Sequence, residues 1–565
     1  MGRVRGCALP ALLTLTGFVT TLDNTVVNVA LPTVQRAFGL SVPELEWVAT
    51  SYVLSFGALL LPGGRLTDLL GRRPVLAAGI VVFTLASGAS ALAGTGGVLI
   101  AARAVQGVGA ALMVPAALAV VAADLPARQR STAVGLWTAA LAVALALGPL
   151  VGGFVTQRWG WEWVFALNVP FGVVALGLVP AVPGRSGPTA VQEQSGAVTV
   201  QERPGPTAVR ERSGPAAVHK QPEPATVHKQ PEPATVHEQP EPATVHEQPE
   251  PATVQEQPGP ATGPDVAAVP AAPLRSVVRG GGLDLPGVVL SVLALSLLTH
   301  ALVRGGEHGF GGQSVPLGAA AGAALAFVVV EYRTARPLVR LGLLRDRFLS
   351  GGVVAQVLWG IGVNGVFFFT ALYLQRVLGF SPTRAGLAFL PLAGALLLCT
   401  PLAERAAREL GAHVSIAAGL ALVAVGLVYV SGTGLRAGYW DLQPGLVLIG
   451  VGSALTTPLT VRCLAGVPAA DTGIATGLVS AAREVSGVFG VVLVGVVLTR
   501  RERAALAEGA DPRVAFLDGY DDGLRLAAGC VLAGALVTLL ALRRRGRHRR
   551  VVARGSRTGV RTVMK

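Results

Sequence analysis

The sequence predicts an all-α, multi-pass membrane protein: fourteen helices that cross the bilayer, with one long polar segment inserted part-way. Three observations carry that prediction. The 565 residues are 52% hydrophobic and only 14% charged, with a mean hydropathy of +0.58, too apolar for an ordinary soluble domain. The apolar residues fall into runs of about 20, the length that crosses the hydrocarbon core as a helix. Gly is abundant, at 72 residues; it is costly in a soluble helix but suits membrane helices that pack backbone to backbone.

The runs, in chain order, lie near residues 8–31, 45–63, 75–94, 97–122, 132–155, 163–182, 284–303, 314–331, 348–374, 383–403, 412–431, 442–463, 473–498 and 523–542. In lipid each must satisfy its own backbone, so each is expected to be helical. The first run carries Asp23 and is followed by no small-residue cleavage site, so it reads as a retained helix rather than a cleaved signal. Cationic residues in the short connections set the orientation. With the N-terminus in the cytoplasm, the internal loops hold Arg65, Arg72 and Arg73; Arg128 and Arg130; Arg333, Arg336, Arg340, Arg345 and Arg347; and Arg405 and Arg408. The tail 543–565, with nine Arg and one Lys, is then cytoplasmic too and suited to anionic lipid. One connection disagrees. Residues 499–522 should be external yet carry Arg500, Arg501, Arg503 and Arg513, with interspersed acids.

The segment 183–282 differs in kind. From Pro183 to Val254 it is a tandem nonapeptide: PGRSGPTAV, QERPGPTAV and RERSGPAAV are degenerate copies, then HKQPEPATV and HEQPEPATV each occur twice. Such a composition buries no core, and its prolines favour extended chain. The expectation is a disordered cytoplasmic linker between the sixth and seventh helices. His219, His228, His237 and His246 recur only because the unit does; nine-residue spacing in a flexible chain fixes no metal geometry. The net charge of +14 sits at the ends of apolar runs and in the tail, which points to membrane lipid rather than nucleic acid as partner. Cys7, Cys399, Cys463 and Cys530 match no zinc or redox spacing, and no GxxxxGK[ST] phosphate loop or convergent nucleophile set occurs. Neither an enzyme nor a cofactor is expected.

Charged residues inside the grease are the informative ones. Asp23 falls mid-span in the first run and Arg103 in the fourth. Each is expensive in lipid unless it faces a cavity or finds a partner, and the two suit each other. A carboxyl that is neutral in one access state and ionised in the other is what a proton carrier needs; hydrogen bonding to a neighbouring helix is the structural alternative. Arg483 and Glu484 are adjacent in the thirteenth run, pointing about 100° apart on a helix, so separate partners are expected for them. Asn28, Asn364 and His300 are weaker candidates. The segment GRLTDLLGRRP, residues 64–74, is expected to be a polar loop in which Gly64 and Gly71 permit tight turns and Asp68 pairs with an Arg or a helix N-terminus.

Seven stretches resemble the major facilitator superfamily, and six of them its fourteen-helix drug/proton antiporter branch. GRLTDLLGRRPVL (64–76) is similar to the superfamily's loop motif. LDNTVVNVALP (22–32), RAVQGVGAALMVPA (103–116), LGPLVGG (147–153), WEWVFALNVPFG (161–172), YLQRVLGFSPTRAGLAFLP (373–391) and GIATGLVSAAREVSGVFG (473–490) resemble that branch, in order. Two departures occur: Ala144 replaces an upstream glycine of the antiporter motif, whose other is Gly135, and Glu162 stands where a basic residue is usual.

The resemblance implies two pseudo-symmetric six-helix bundles, 1–182 and 348–542, around a midplane cavity, joined by two extra helices within 283–331. It implies proton-driven export of amphipathic or cationic drugs from the cell membrane, with both termini cytoplasmic, no cofactor beyond the proton gradient, and a monomeric chain. Asp23 and Arg103 would serve proton coupling. Gly148, Pro149, Gly152 and Gly153 would form the antiporter motif. Gly64, Asp68, Gly71, Arg72 and Arg73 would form a cytoplasmic latch between the halves, made outward-open and broken inward-open. Arg483, Glu484 and Asn28 would touch substrate or aid coupling. The alternatives are a dedicated exporter of one native metabolite, such as a self-made antibiotic or a siderophore, and a non-transporting membrane sensor, which would not need Asp23 and Arg103.

Overall fold

Helix follows helix through the protein. The computed structural model describes residues 2–125, 127–183, 284–335, 337–468 and 471–543, and among these no strand occurs. The nonapeptide repeat, the tail beyond Arg543, and Arg128 and Arg336 of the internal loops lie outside the described side chains. The first group of helices is α1 (Gly2–Phe38), α2 (Val42–Leu70), α3 (Arg72–Ala91), α4 (Gly96–Asp124), α5 (Ala127–Trp159), α6 (Glu162–Ala166) and α7 (Asn168–Leu178). Two further helices, α8 (Leu285–His308) and α9 (Ser314–Arg333), follow. The last group is α10 (Arg347–Arg376), α11 (Pro382–Ala388), α12 (Leu390–Ala406), α13 (Ala412–Ser431), α14 (Tyr439–Leu455), α15 (Leu459–Cys463), α16 (Thr472–Ala507) and α17 (Pro512–Ala541).

Local chemistry places the starts. Ser41 and Glu44 form a reciprocal capping box at the head of α2, the Ser41 N–H donating to Glu44 Oε2 at 2.8 Å, which satisfies two backbone donors that a helix start leaves free. Asp346 Oδ1 accepts from the Phe348 and Leu349 N–H groups, both at 2.9 Å, at the head of α10. Asp284 does the same for Gly287 in α8.

Twelve helical stretches among the described residues are long and apolar enough to cross a membrane. α1 is not one of them, its hydropathy diluted by Asp23, Asn24, Asn28 and a series of threonines. Two of the expected runs, 383–403 and 412–431, fall within a single apolar stretch of 50 residues, Pro382–Ser431. Drawn straight, that stretch would measure about 75 Å at 1.5 Å per residue, more than twice the roughly 30 Å of a hydrocarbon core. It is not straight. Gly450 of α14 approaches Leu392 of α12, and Gly452, two residues on, approaches Gly419 of α13. The chain therefore folds back between them, at Gly411, whose φ of +91° suits glycine alone.

Two expectations are corrected. The connection 64–74 is shorter than its polarity suggests. α2 continues to Leu70, and Gly64 lies inside it rather than in a turn, because Leu66, Leu69 and Leu70 continue the apolar series and Thr67 donates its hydroxyl back to Gly63 O at 2.9 Å. Gly71 alone makes the turn, at φ +96°. Likewise 499–522 is not a loop: α16 runs to Ala507 and α17 begins at Pro512. Its basic residues ride on helix ends, where Arg501 pairs with Asp522 at 2.7 Å and Arg500 lies over the Phe310 ring, 5.4 Å from its centroid.

In the first group α1 packs on α5, and α2 and α3 pack on α4; in the last, α13 packs on α14 and α17, and α10 on α16 and α17. α8 and α9 pack on each other, and α8 also lies against α2 and α16. The groups meet along two lines. α2 runs along α16, with Leu61 at Gly477, Gly57 at Val485, Val53 at Gly487 and Glu46 at Gly495. α5 meets α11, where Gly153 approaches Pro382 and Thr383, and Gly386 approaches Pro149. Across the same end, Gln375 Nε2 donates to Val29 O at 2.9 Å and the Thr383 N–H donates to Gln157 Oε1 at 3.2 Å. The α5–α11 contacts and these two hydrogen bonds lie at the end where α1 finishes and α2 begins.

Candidate functional site

Asp23 sits on α1 with no exposed surface, and so does Arg103 on α4. The expected pairing is present: Arg103 Nη1 donates to Asp23 Oδ2 at 2.5 Å. The second carboxylate oxygen, Oδ1, accepts from Asn168 Nδ2 at 2.6 Å and from Gln106 Nε2 at 2.9 Å. Ser87 Oγ takes a further bond from each amide, at 2.7 Å from Gln106 and 3.1 Å from Asn168. Arg103 Nη1 also reaches Gln106 Oε1 at 2.7 Å, and its Nε donates to Val48 O at 3.4 Å. One carboxylate thus gathers donors from α4 and α7, and these are tied to α3. The guanidinium lies over the Tyr52 ring, 4.4 Å from its centroid, with Phe165 at 5.6 Å, an arrangement that favours a cation.

An ion pair removed from water survives only when its geometry is good and its remaining lone pairs are bonded. Most are here, but not all: Arg103 Nη2 and Asn168 Oδ1 are buried without a partner. Tyr52 lies within electrostatic reach of Asp23 and Arg103 and also of Glu484 on α16, so it stands between this centre and the other group of helices.

Gln106, Asn168 and Ser87 went unnoticed as site residues in the sequence, although Gln106 and Asn168 lie inside the quoted stretches RAVQGVGAALMVPA and WEWVFALNVPFG. The usable signal was an amide in an apolar run, three residues from Arg103 in one case. Glu46 was missed as well; it is 1% exposed on α2.

The other expected residues fall in three places. Gly148 and Gly152 lie against α1, where a methyl group would strike Thr25 and the Val26 backbone, while Gly153 lies against α11; the run with Pro149 therefore sits between α1 and the second group of helices. Ala144 is fully buried and its carbonyl accepts from Thr25 Oγ1 at 3.3 Å. Asp68 is exposed at the end of α2, and Arg72 pairs with Asp124 at the end of α4, at 3.0 Å, within its own group of helices; Arg73 is exposed. Arg483 and Glu484 do not seek separate partners. They bond to each other, Arg483 Nη2 to Glu484 Oε1 at 3.0 Å and Nε at 3.3 Å, because the Arg side chain is long enough to turn back across the roughly 100° step between neighbours. Asn28 is half-buried on α1; Asn364 donates to Gly360 O of its own helix at 2.9 Å; His300 is exposed on α8.

The family model described as Major Facilitator Superfamily matches residues 13–491, most of the chain. The chain belongs to the major facilitator superfamily. Within it, the chain is 30% identical over 486 residues to the multidrug resistance protein Stp of Mycobacterium tuberculosis, covering 85% of this chain and 74% of that protein. It is 33% identical to the cephamycin export protein CmcT of Amycolatopsis lactamdurans, covering 84% of this chain and 82% of that one. It is 30% identical to the puromycin resistance protein pur8 of Streptomyces alboniger, covering 92% and 86%. Solved superfamily structures share the fold. A D-xylose–proton symporter matches with TM-score 0.55 at 15% identity over 94% of this chain and 97% of its own. An inward-facing bacterial homologue of the lysosomal transporter Spinster matches with TM-score 0.55 at 13% identity, over 94% and 96%. The protein is therefore a multi-pass membrane transporter for small molecules, whose relatives are antibiotic and multidrug resistance exporters, and not an enzyme.

Proposed function

We propose that the protein is a proton-coupled antiporter of the cell membrane that exports amphipathic or cationic antibiotics, with Asp23 as its proton carrier. The observation behind this is the buried carboxylate held by three donors from two helices beside a cation. Protonating Asp23 cancels its charge and leaves Arg103 buried without its anion, so the two protonation states demand different packing of α1 against α4. Substrate leaves by the route that proton binding opens. The chain is driven by the gradient and acts as a monomer without a cofactor.

Counting α1 and both arms of the stretch folded at Gly411, the reading has fourteen spans, with cytoplasmic termini and a cytoplasmic repeat linker. The end where α5 meets α11 is then external, and its closure corresponds to an inward-open state. In that state the Asp68–Arg72–Arg73 latch is open, a reading supported by the exposure of Asp68 and by Arg72 pairing with Asp124 instead. Arg483 and Glu484 meet substrate from the second half, a reading supported by their open charge pair.

Ethidium efflux from cells and from inverted vesicles under an imposed pH gradient tests the reading. Efflux should collapse with the gradient and in Asp23→Asn at equal abundance. Gradient-dependent efflux that survives Asp23→Asn moves the proton site elsewhere. Deleting residues 186–262 should leave efflux unchanged if the repeat is a spacer.

A second reading, export of one native compound, is favoured by relatives named for single antibiotics, among them a tetracenomycin C resistance and export protein and a probable actinorhodin transporter. It predicts that a single compound competes with ethidium far better than the rest of a chemically mixed panel.

A further inference from the structure

A second carboxyl is buried where the two groups of helices meet. Glu46 lies one turn into α2 and is 1% exposed. Its carboxyl lies against Gly495 of α16. Its Oε1 has no hydrogen-bond partner, and among the described residues no cation forms an ion pair with it. The charged group acting on it is another acid, Glu307 of α8. From α16 the facing residue, Gly495, brings no charge, and Arg500 further along is engaged over Phe310. Beside this turn of α2 opens a cleft of about 400 Å³ lined by Glu44, Trp47, His300, Arg304, Glu307 and His308, which brings the acid acting on Glu46 to the surface. A lone ionised carboxylate costs far more to bury than a neutral acid.

We propose that Glu46 is a second proton-binding residue, whose carboxyl must be neutral for α2 to close against α16 at the external end. When that end opens, α2 parts from α16 and Glu46 meets the external medium and its protons. Neutralised, it permits closure; ionised, it holds the seam apart. The inference rests on the proton-coupled export reading, and adds a gate to the carrier Asp23.

The test measures the opening of that end, not transport. In full-length protein lacking its four native cysteines, spin labels go on Ala37→Cys and Arg384→Cys, both exposed at this end, and their distance is followed by pulsed electron resonance in lipid nanodiscs from acid to alkaline pH. The parent should shift from short to long distances as pH rises. Glu46→Gln, a neutral isostere, should stay short throughout, and Glu46→Asp should restore the response. The proposal is overturned if Glu46→Gln follows the parent's pH curve, or if the parent distances ignore pH. The two readings can fail separately. Efflux that survives Asp23→Asn beside a Glu46-dependent seam removes the carrier and keeps the gate. Efflux that needs Asp23 beside a seam indifferent to Glu46 does the reverse.

Discussion

The two helix groups are built from opposite materials. The first is organised around charge: Asp23, Arg103, Gln106, Asn168 and Ser87 bond to one another with almost no exposed surface. The second is organised around rings. Tyr373 and Tyr520 stack with centroids 4.9 Å apart and planes 11° from parallel, and Phe367 stacks on Phe389 at 5.2 Å. Neutral hydroxyls join the rings, as Thr370 does with Tyr520 at 2.8 Å. Its charge pairs within helices lie partly in the open: Arg483 with Glu484, and Arg525 with Asp522, each keep half or more of the Arg side chain exposed. On the proposed reading, a change of proton at Asp23 would rearrange the first centre, and the stacked rings of the second would give it a firm surface to move against.

That contrast can be broken by substitution, and the largest effect should come from Arg103→Met. It leaves the Asp23 charge buried and unpaired, at a cost of about 3–5 kcal/mol, read as a fall in thermal unfolding temperature of the purified protein. The double variant Asp23→Asn with Arg103→Met should recover most of that stability and none of the proton-driven efflux. Equal losses in single and double variants would show that the pair is not what holds the centre. Asn168→Leu comes next. It removes two hydrogen bonds and leaves Asp23 short of a donor, costing about 1–3 kcal/mol, and the pH at which efflux is half-maximal should move. A stability loss with an unmoved pH profile would make Asn168 a structural residue only.

In the ring-built half, Tyr520→Phe removes one neutral hydrogen bond, about 0.5–1.5 kcal/mol, and should leave the pH profile of efflux as it was. A shifted profile would mean that the second half also carries protons. The smallest effect is expected at the surface. Arg72→Ala breaks an ion pair whose Arg side chain is 42% exposed, worth well under about 1 kcal/mol and less in high salt. A large efflux defect with unchanged stability would then point to the latch rather than to folding.

The charged half of this contrast was readable in the sequence because a charge within an apolar run is conspicuous. Asp23 and Arg103 announced themselves, and so did their mutual need. The amides and the hydroxyl that complete the network did not, since Gln106, Asn168 and Ser87 lower hydropathy little and only three dimensions bring them to one carboxylate. Glu46 was hidden by position: near the head of a helix and two residues from Glu44, a carboxylate is ordinary. Arg483 and Glu484 misled because adjacency on a helix fixes the directions of Cβ atoms, not the reach of a long side chain. The helical runs were legible from hydropathy, but their ends were not. The basic residues of 64–74 and 499–522 looked like loop and proved to lie mostly on helices, because amphipathic helix ends extend past the hydrocarbon.

The turn at Gly411 bears on how the chain enters the bilayer at all. The machinery that threads it meets 50 almost uninterrupted residues of helix-forming grease from Pro382 to Ser431, with Glu404, Arg405, Arg408 and Glu409 as the charged marks before the bend. Were that stretch inserted as one pass, every later helix would be threaded in the opposite sense. A side chain at Gly411 thus strains the turn on which the threading of every later helix, α13 to α17, depends, well before any question of transport arises.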